Sequence, residues 1–184
     1  MIEIKDKLLP WIKAGYRLFA KEGPKGLKVE TLARIVHKNK SSFYHHFADL
    51  DFFTDYLLEY HLNRTIEVAE KERNASKMEE IIDLFVLNKE DLLFNRQLRV
   101  HRHHPSFAKC LEQTTQIAIP SIMPIWAKTL ALSEHSYLAQ MVLQLSIENF
   151  YLQITEETLN HHWLNNYFQE LKNMVTAFKT VRKT

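Results

Sequence analysis

Between Lys40 and His45 the sequence sets five polar side chains that can do one kind of chemistry together. Lys40, Ser41, Ser42, Tyr44 and His45 can each reach an anionic oxygen. A lysine contacts phosphate or the edge of a guanine, and Ser, Tyr and His hydrogen-bond phosphate oxygens. Phe43 and Phe47 stand four apart, so one helical face is apolar while the polar residues point away from it. The charge around them agrees. Residues 1–50 hold ten Lys+Arg against five Asp+Glu, a balance of +5, and residues 51–184 hold fourteen against seventeen, a balance of −3. A basic first quarter on an acidic remainder is the footprint of a polyanion-binding head on a body with another task.

Other chemistries have weaker support. The ten histidines invite a metal reading. No histidine has a glutamate three residues before it, there is no His-Glu-x-x-His, and Cys110 alone cannot build a structural zinc knot. No metal and no cofactor are expected. Cys110 lies in a helical context with no motif marking it as a nucleophile. The three glycines, Gly15, Gly23 and Gly26, all fall in the first 26 residues. That disfavours a Gly-rich phosphate loop, a dinucleotide-binding turn and a nucleophile elbow, and it argues against a hairpin-rich sheet protein.

The elements that must position the polar set read as helices throughout. Helix 1 carries Leu8, Trp11, Ile12, Gly15, Leu18 and Phe19 at 3–4 spacing, with Pro10 in its first turn or at a kink. Glu22-Gly23-Pro24-Lys25-Gly26 stops it. Helix 2 covers about 29–36, with Leu32, Ala33 and Val36 inward. His37-Lys38 form a turn, Asn39 caps helix 3, and that helix runs from Lys40 to about Phe47. Asp49 or Asp51 caps the next helix, which reaches about Arg73. Ser76 with Glu79 forms a capping box for another. Helical pattern resumes over 92–100 and again after His103-His104-Pro105. Pro120 and Pro124 should kink or split the stretch 117–132. Ser133 opens a long helix to about Ile154, and the last runs over about 160–181. The expectation is an all-α chain of about nine helices: a three-helix helix-turn-helix head over 1–48, and a larger helical bundle over 49–184.

Ala14-Gly15-Tyr16-Arg17-Leu18-Phe19, Gly23, Leu32-Ala33 and Ser42-Phe43-Tyr44-His45-His46-Phe47 resemble the DNA-binding head of TetR-family repressors. The Phe-Tyr-x-x-Phe ending is the most specific piece, and the likeness spans roughly residues 8–53. It implies an all-helical homodimer with an inducer pocket and a dimer interface in the C-terminal body. It also implies that Tyr44 and His45 contact phosphate, while Lys40, Ser41 and Ser42 approach bases or nearby backbone. There are three departures. His37-Lys38 replace the family's Gly and small apolar residue in the turn, so another filler is needed, with Ile35 the candidate. Lys28 stands where a capping Thr is common; it can reach phosphate but caps poorly. Leu50 replaces a lysine that usually follows the aromatic ending.

In the body, Leu164, Phe168, Leu171, Val175 and Phe178 form a 4-3-4-3 stripe expected at a dimer interface. Trp163, Tyr167 and Met174 widen it. Phe85, Phe94, Leu98, Phe107, Trp126, Tyr137 and Met141 are candidate pocket residues for an unknown small-molecule effector, with ordinary core packing the competing reading. Arg96, Arg99, His101, His103 and His104 are a pocket mouth or a solvated helix end. No apolar run is long enough to span a membrane, and neither a membrane span nor a secretory signal is expected. The expected protein is a non-enzymatic, cytoplasmic, ligand-responsive repressor that binds a double-stranded operator as a homodimer. The alternative is a helical small-molecule- or metal-binding protein, or an enzyme, with an incidental basic head.

Overall fold

The computed structural model of the chain describes residues 6–132 and 136–181. Among them are nine α-helices and no strand. They are α1 (Leu9–Glu22), α2 (Val29–Ile35), α3 (Lys40–Tyr44), α4 (Leu50–Arg73), α5 (Met78–Leu87), α6 (Lys89–Val100), α7 (Pro105–Thr129), α8 (Ser136–Gln153) and α9 (His161–Val181). Short 3-10 turns precede α1 and α2. The all-α expectation therefore holds.

The helix boundaries follow local chemistry. Pro10 sits in the first turn of α1, where a missing N–H costs nothing. Asp49 Oδ1 accepts from Phe52 N at 2.7 Å and caps α4, and Asn160 Oδ1 accepts from Trp163 N at 3.0 Å and caps α9. Two readings change. Ser76 pairs with Glu80, not Glu79: Ser76 N donates to Glu80 Oε2 at 2.7 Å. The N-cap is one residue later, at Lys77, which shifts the reaching carboxylate by one. And α7 runs unbroken through Pro120 and Pro124. Both prolines are exposed, whereas Ser121, Ile122, Ile125 and Trp126 are buried. The missing hydrogen bonds therefore fall on the solvent side, and the packed side carries the helix through. Ser133, expected to open α8, lies outside the described residues.

The chain forms two compact units, Met1–Ile66 with Glu90–Thr115, and Glu67–Lys89 with Gln116–Thr184. The first has an aromatic core. Phe43 meets Trp11, Phe47 and Phe53 at ring-centroid distances of 5.6, 5.0 and 5.3 Å. Phe94 stacks on Tyr16 at 4.4 Å and packs on Phe19 at 4.3 Å. Gly15 permits this closeness, because a Cβ there would lie 2.5 Å from Phe53 Cζ. The second unit packs Trp126, Phe150, Tyr167 and Phe168 with Ile81, Ile82, Leu143 and Leu164.

Candidate nucleic-acid interface

Helix α3 has only five residues, too short to hold itself in water. It is held by a cap at its N-terminus and by packing beneath it. Asn39 Oδ1 accepts from Ser42 N and from Ser42 Oγ, each at 2.8 Å. Beneath it, Phe43 is fully buried and Phe47 nearly so. The opposite face is open: Lys40, Ser41, Tyr44 and His45 are exposed, Tyr44 at 57%. Ser42 differs from its neighbours, being half-buried with its hydroxyl proton already given to Asn39. His46 is half-buried too; burial, then the charges of His45 and Lys7, hold it below the usual imidazole range.

Lys40 makes an ion pair that the sequence did not suggest. Its ammonium bonds Glu30 Oε1 on α2. That hydrogen bond holds the Glu30 carboxyl below its ordinary range. Both side chains are exposed, so the pair is screened by salt and exchangeable.

The turn between α2 and α3 keeps a glycine-like shape without glycine. His37 has φ 55°, in the left-handed region. Lys38 N donates to Ala33 O at 2.9 Å and His37 N to Arg34 O at 3.3 Å, closing the helix end. Histidine tolerates this region better than most residues, yet still meets its Cβ penalty. His37→Gly is therefore expected to stabilise the protein by about 1 kcal/mol, read as a higher urea midpoint at unchanged slope. A lower midpoint would mean that the imidazole makes interactions outweighing the strain. Ile35 does not fill the turn: it is 45% exposed. Val36 packs against the core in its place, because the left-handed residue falls immediately after it. Lys28 is the N-cap of α2 and makes no side-chain cap, as its type implies. Leu50 packs against the core at the start of α4.

The remaining sequence candidates are dispersed. Phe94, Leu98 and Phe107 are buried in the core of the first unit. Phe85 and Trp126 belong to the aromatic cluster of the second, and Tyr137 and Met141 are exposed. An open cleft of about 320 Å³ in the second unit is lined by Lys71, Glu80, Asp83 and Leu87 among others, and by none of these candidates. The buried indole Nε1–H of Trp126 has no hydrogen-bond partner among the described residues. Leu164, Phe168 and Val175 are buried within the second unit, Leu171 is half-buried, and the side chain of Phe178 lies outside the described residues. On α8 and α9 the large exposed apolar side chains are instead Tyr137, Leu138, Met141, Leu145, Leu152 and Met174.

Cys110 is buried beside Leu58 O, and burial pushes its thiol up to about 12, so it is not a thiolate near neutrality. Among the described residues no group of three or more His, Cys, Asp or Glu is placed to hold a metal ion. No helix among them is long and apolar enough to cross a membrane.

A short helix with an open polar face, seated on aromatic rings behind a left-handed turn, defines a helix-turn-helix protein. Residues 12–49 match the family described as bacterial regulatory proteins, tetR family. That match covers the helix-turn-helix head, and over the rest of the chain the likeness to solved TetR-family regulators is one of fold. A transcriptional regulator of the TetR/AcrR family from Aquifex aeolicus VF5 is similar in fold. It has a TM-score of 0.61 at 15% identity, over 92% of this chain and 98% of that one. Salmonella enterica GusR gives 0.58 at 13%, covering 96% and 97%. A putative TetR-family transcriptional regulator from Rhodococcus sp. gives 0.53 at 16%, covering 94% and 95%. No curated protein matches the sequence.

Proposed function

We propose that this protein is a transcriptional regulator of the TetR kind: a cytoplasmic, homodimeric, ligand-responsive repressor. Its residues 1–48 read DNA, and its residues 49–184 bind an effector and form the dimer. The observation that carries the reading is the open face of α3, with Lys40, Ser41, Tyr44 and His45 exposed over a fully buried Phe43. Tyr44, His45 and Lys28 contact phosphates. Lys40 and Ser41 reach bases or adjacent backbone, and Ser42 acts mainly through its bond to Asn39. In a two-fold dimer the two α3 helices enter successive major grooves about 34 Å apart. Selection of bound fragments from genomic DNA tests this. One or a few fragments with a pseudo-palindromic element are expected; no enrichment over scrambled duplex would overturn it.

The dimer reading rests on the apolar side chains that α8 and α9 leave uncovered. Exposed apolar groups in such a row are costly unless a partner covers them. Leu145, 71% exposed, is expected at the centre of the interface. Leu145→Asp should shift light-scattering mass from dimer to monomer at micromolar concentration and leave helicity intact. An unchanged dimer would remove α8 from the interface.

The effector reading is supported by Trp126. A buried donor without an acceptor costs about 1–3 kcal/mol, and a ligand acceptor that reaches it recovers that cost. In the same unit, Ser121 Oγ lies 2.5 Å from Glu72 Oε2 and 2.7 Å from Ala118 O. The hydroxyl has one proton, so both bonds are satisfied when the Glu72 carboxyl is itself protonated. Burial pushes that carboxyl above its usual range in the same sense. An effector that favours one dimer geometry would change the spacing of the heads, coupling the two sites through the body.

A further inference from the structure

The stretch between Asp91 and Glu112 carries Arg96, Arg99, Arg102, Lys109 and three histidines, and no acid. It ends α6 and begins α7, and it lies in the same compact unit as the head. Its position there is specific. Gln97 Nε2 donates to Ala20 O at 3.4 Å. Gly23, with φ 68°, turns the chain so tightly against α6 that a Cβ would lie 2.8 Å from Gln97 Oε1 and 2.9 Å from His101 Nε2. The end of α6 is thus seated on the connection between α1 and α2.

That connection carries Lys21, Lys25 and Lys28, all exposed, with Glu22 the acid among them. Arg102, His103 and His104 are exposed on the α6 side. Among the described residues, Lys25, Lys28 and Arg102 take part in no salt bridge. The crowding of positive groups is felt locally: burial, then the charges of His103 and Lys25, hold His101 below the usual imidazole range. Lys28 is already part of the face assigned to DNA, and Lys25 stands three residues before it on the connection that the end of α6 meets.

We propose that the α6–α7 corner is a second DNA-backbone contact, in which Lys25 and Arg102 neutralise phosphates beside those met by Lys28 and Tyr44. This rests on the reading of α3 as the DNA-contacting helix. These side chains are exposed rather than enclosed, which suits an extended polyanion more than a small bound anion. Pairings of this kind add affinity and salt dependence but carry no sequence information. Removing one side chain that pairs with a phosphate should reduce the slope of log affinity against log salt by about 1.

The test uses the full chain and the tightest genomic fragment from the selection, alongside a scrambled duplex of equal length. Lys25→Ala with Arg102→Ala should lower the salt slope by about 2 and weaken both duplexes by similar factors, with an unchanged thermal midpoint. The charge-preserving pair Lys25→Arg with Arg102→Lys should keep the wild-type slope. An unchanged slope in the alanine pair overturns the second contact. So does an equal loss in the charge-preserving pair, which would assign these side chains a structural role. Tyr44→Ala binding both duplexes like wild type would overturn the α3 reading instead, so the two failures are separable.

Discussion

Phe43→Ala is expected to destabilise the protein by about 3–5 kcal/mol and to abolish DNA binding by unfolding the head, since Phe43 itself does not face DNA. Phe43 is fully buried and is the inward residue of a five-residue helix. Its ring meets Trp11 on α1, Phe53 on α4 and Phe47 beyond its own helix. So short a helix gains little from its own hydrogen bonds, and this packing is what holds its polar face outward. A loss of that size is a large share of the roughly 5–15 kcal/mol that stabilises a typical domain. Urea unfolding followed by near-ultraviolet circular dichroism measures it. Phe43→Leu, closer in volume, should cost less than half as much. A Phe43→Ala cost below about 1 kcal/mol would mean that α3 is held by something other than this cluster.

Acid should unfold the protein earlier than its carboxylates alone require, and His61 is the reason. His61 is 1% exposed on α4. Tyr16 gives its hydroxyl proton to Asp91 Oδ1 at 2.6 Å, and its oxygen lies 2.7 Å from His61 Nδ1. With that proton committed to Asp91, Nδ1 must be the donor to the tyrosine oxygen. The ring is then neutral, and Nε2 is bare and has no partner among the described residues. Burial, partly opposed by the charge of Asp91 and aided by Arg64, lowers the His61 pKa to about 4. The unfolded chain takes up this proton near pH 6.5, before the folded one does. Stability from this group is therefore full above about pH 6.5 and is lost as pH falls toward about 4, by roughly 3 kcal/mol in all. Burial, and next the charge of Asp91, also push the Tyr16 hydroxyl well above its ordinary range, so it stays a donor throughout. His61→Phe should flatten the dependence of the urea midpoint on pH over that window. An equally steep dependence in that variant would assign the acid sensitivity to other groups.

What was legible in the sequence was mostly local. Asn39 and Asp49 cap helices as their types require, and the alternation of Phe43 and Phe47 with polar neighbours gives the orientation of α3. What was not legible depends on residues distant in the chain. Tyr16 meets partners 45 and 75 residues away, and no spacing rule announces that. Glu30 and Lys40 pair because a left-handed His37 brings α2 and α3 together. The apolar stripe of α9 is visible as a pattern, yet burial periodicity does not say whether a helix packs on its own chain or on another. The aromatic candidates for a pocket divide between two units for the same reason. The charge split at residue 50 hid the basic α6–α7 corner, which lies far along the sequence but beside Gly23 in space.

If the open face of α3 holds DNA, Tyr44→Ala must weaken binding without touching the fold, because Tyr44 is 57% exposed and its removal leaves Phe43 and the aromatic core intact. Gel shift at physiological salt, on the fragment enriched from genomic DNA, should give at least about tenfold weaker binding, equivalent to about 1.4 kcal/mol, with the unfolding midpoint and the oligomeric mass unchanged. Affinity equal to the wild type would move the DNA-contacting surface off α3.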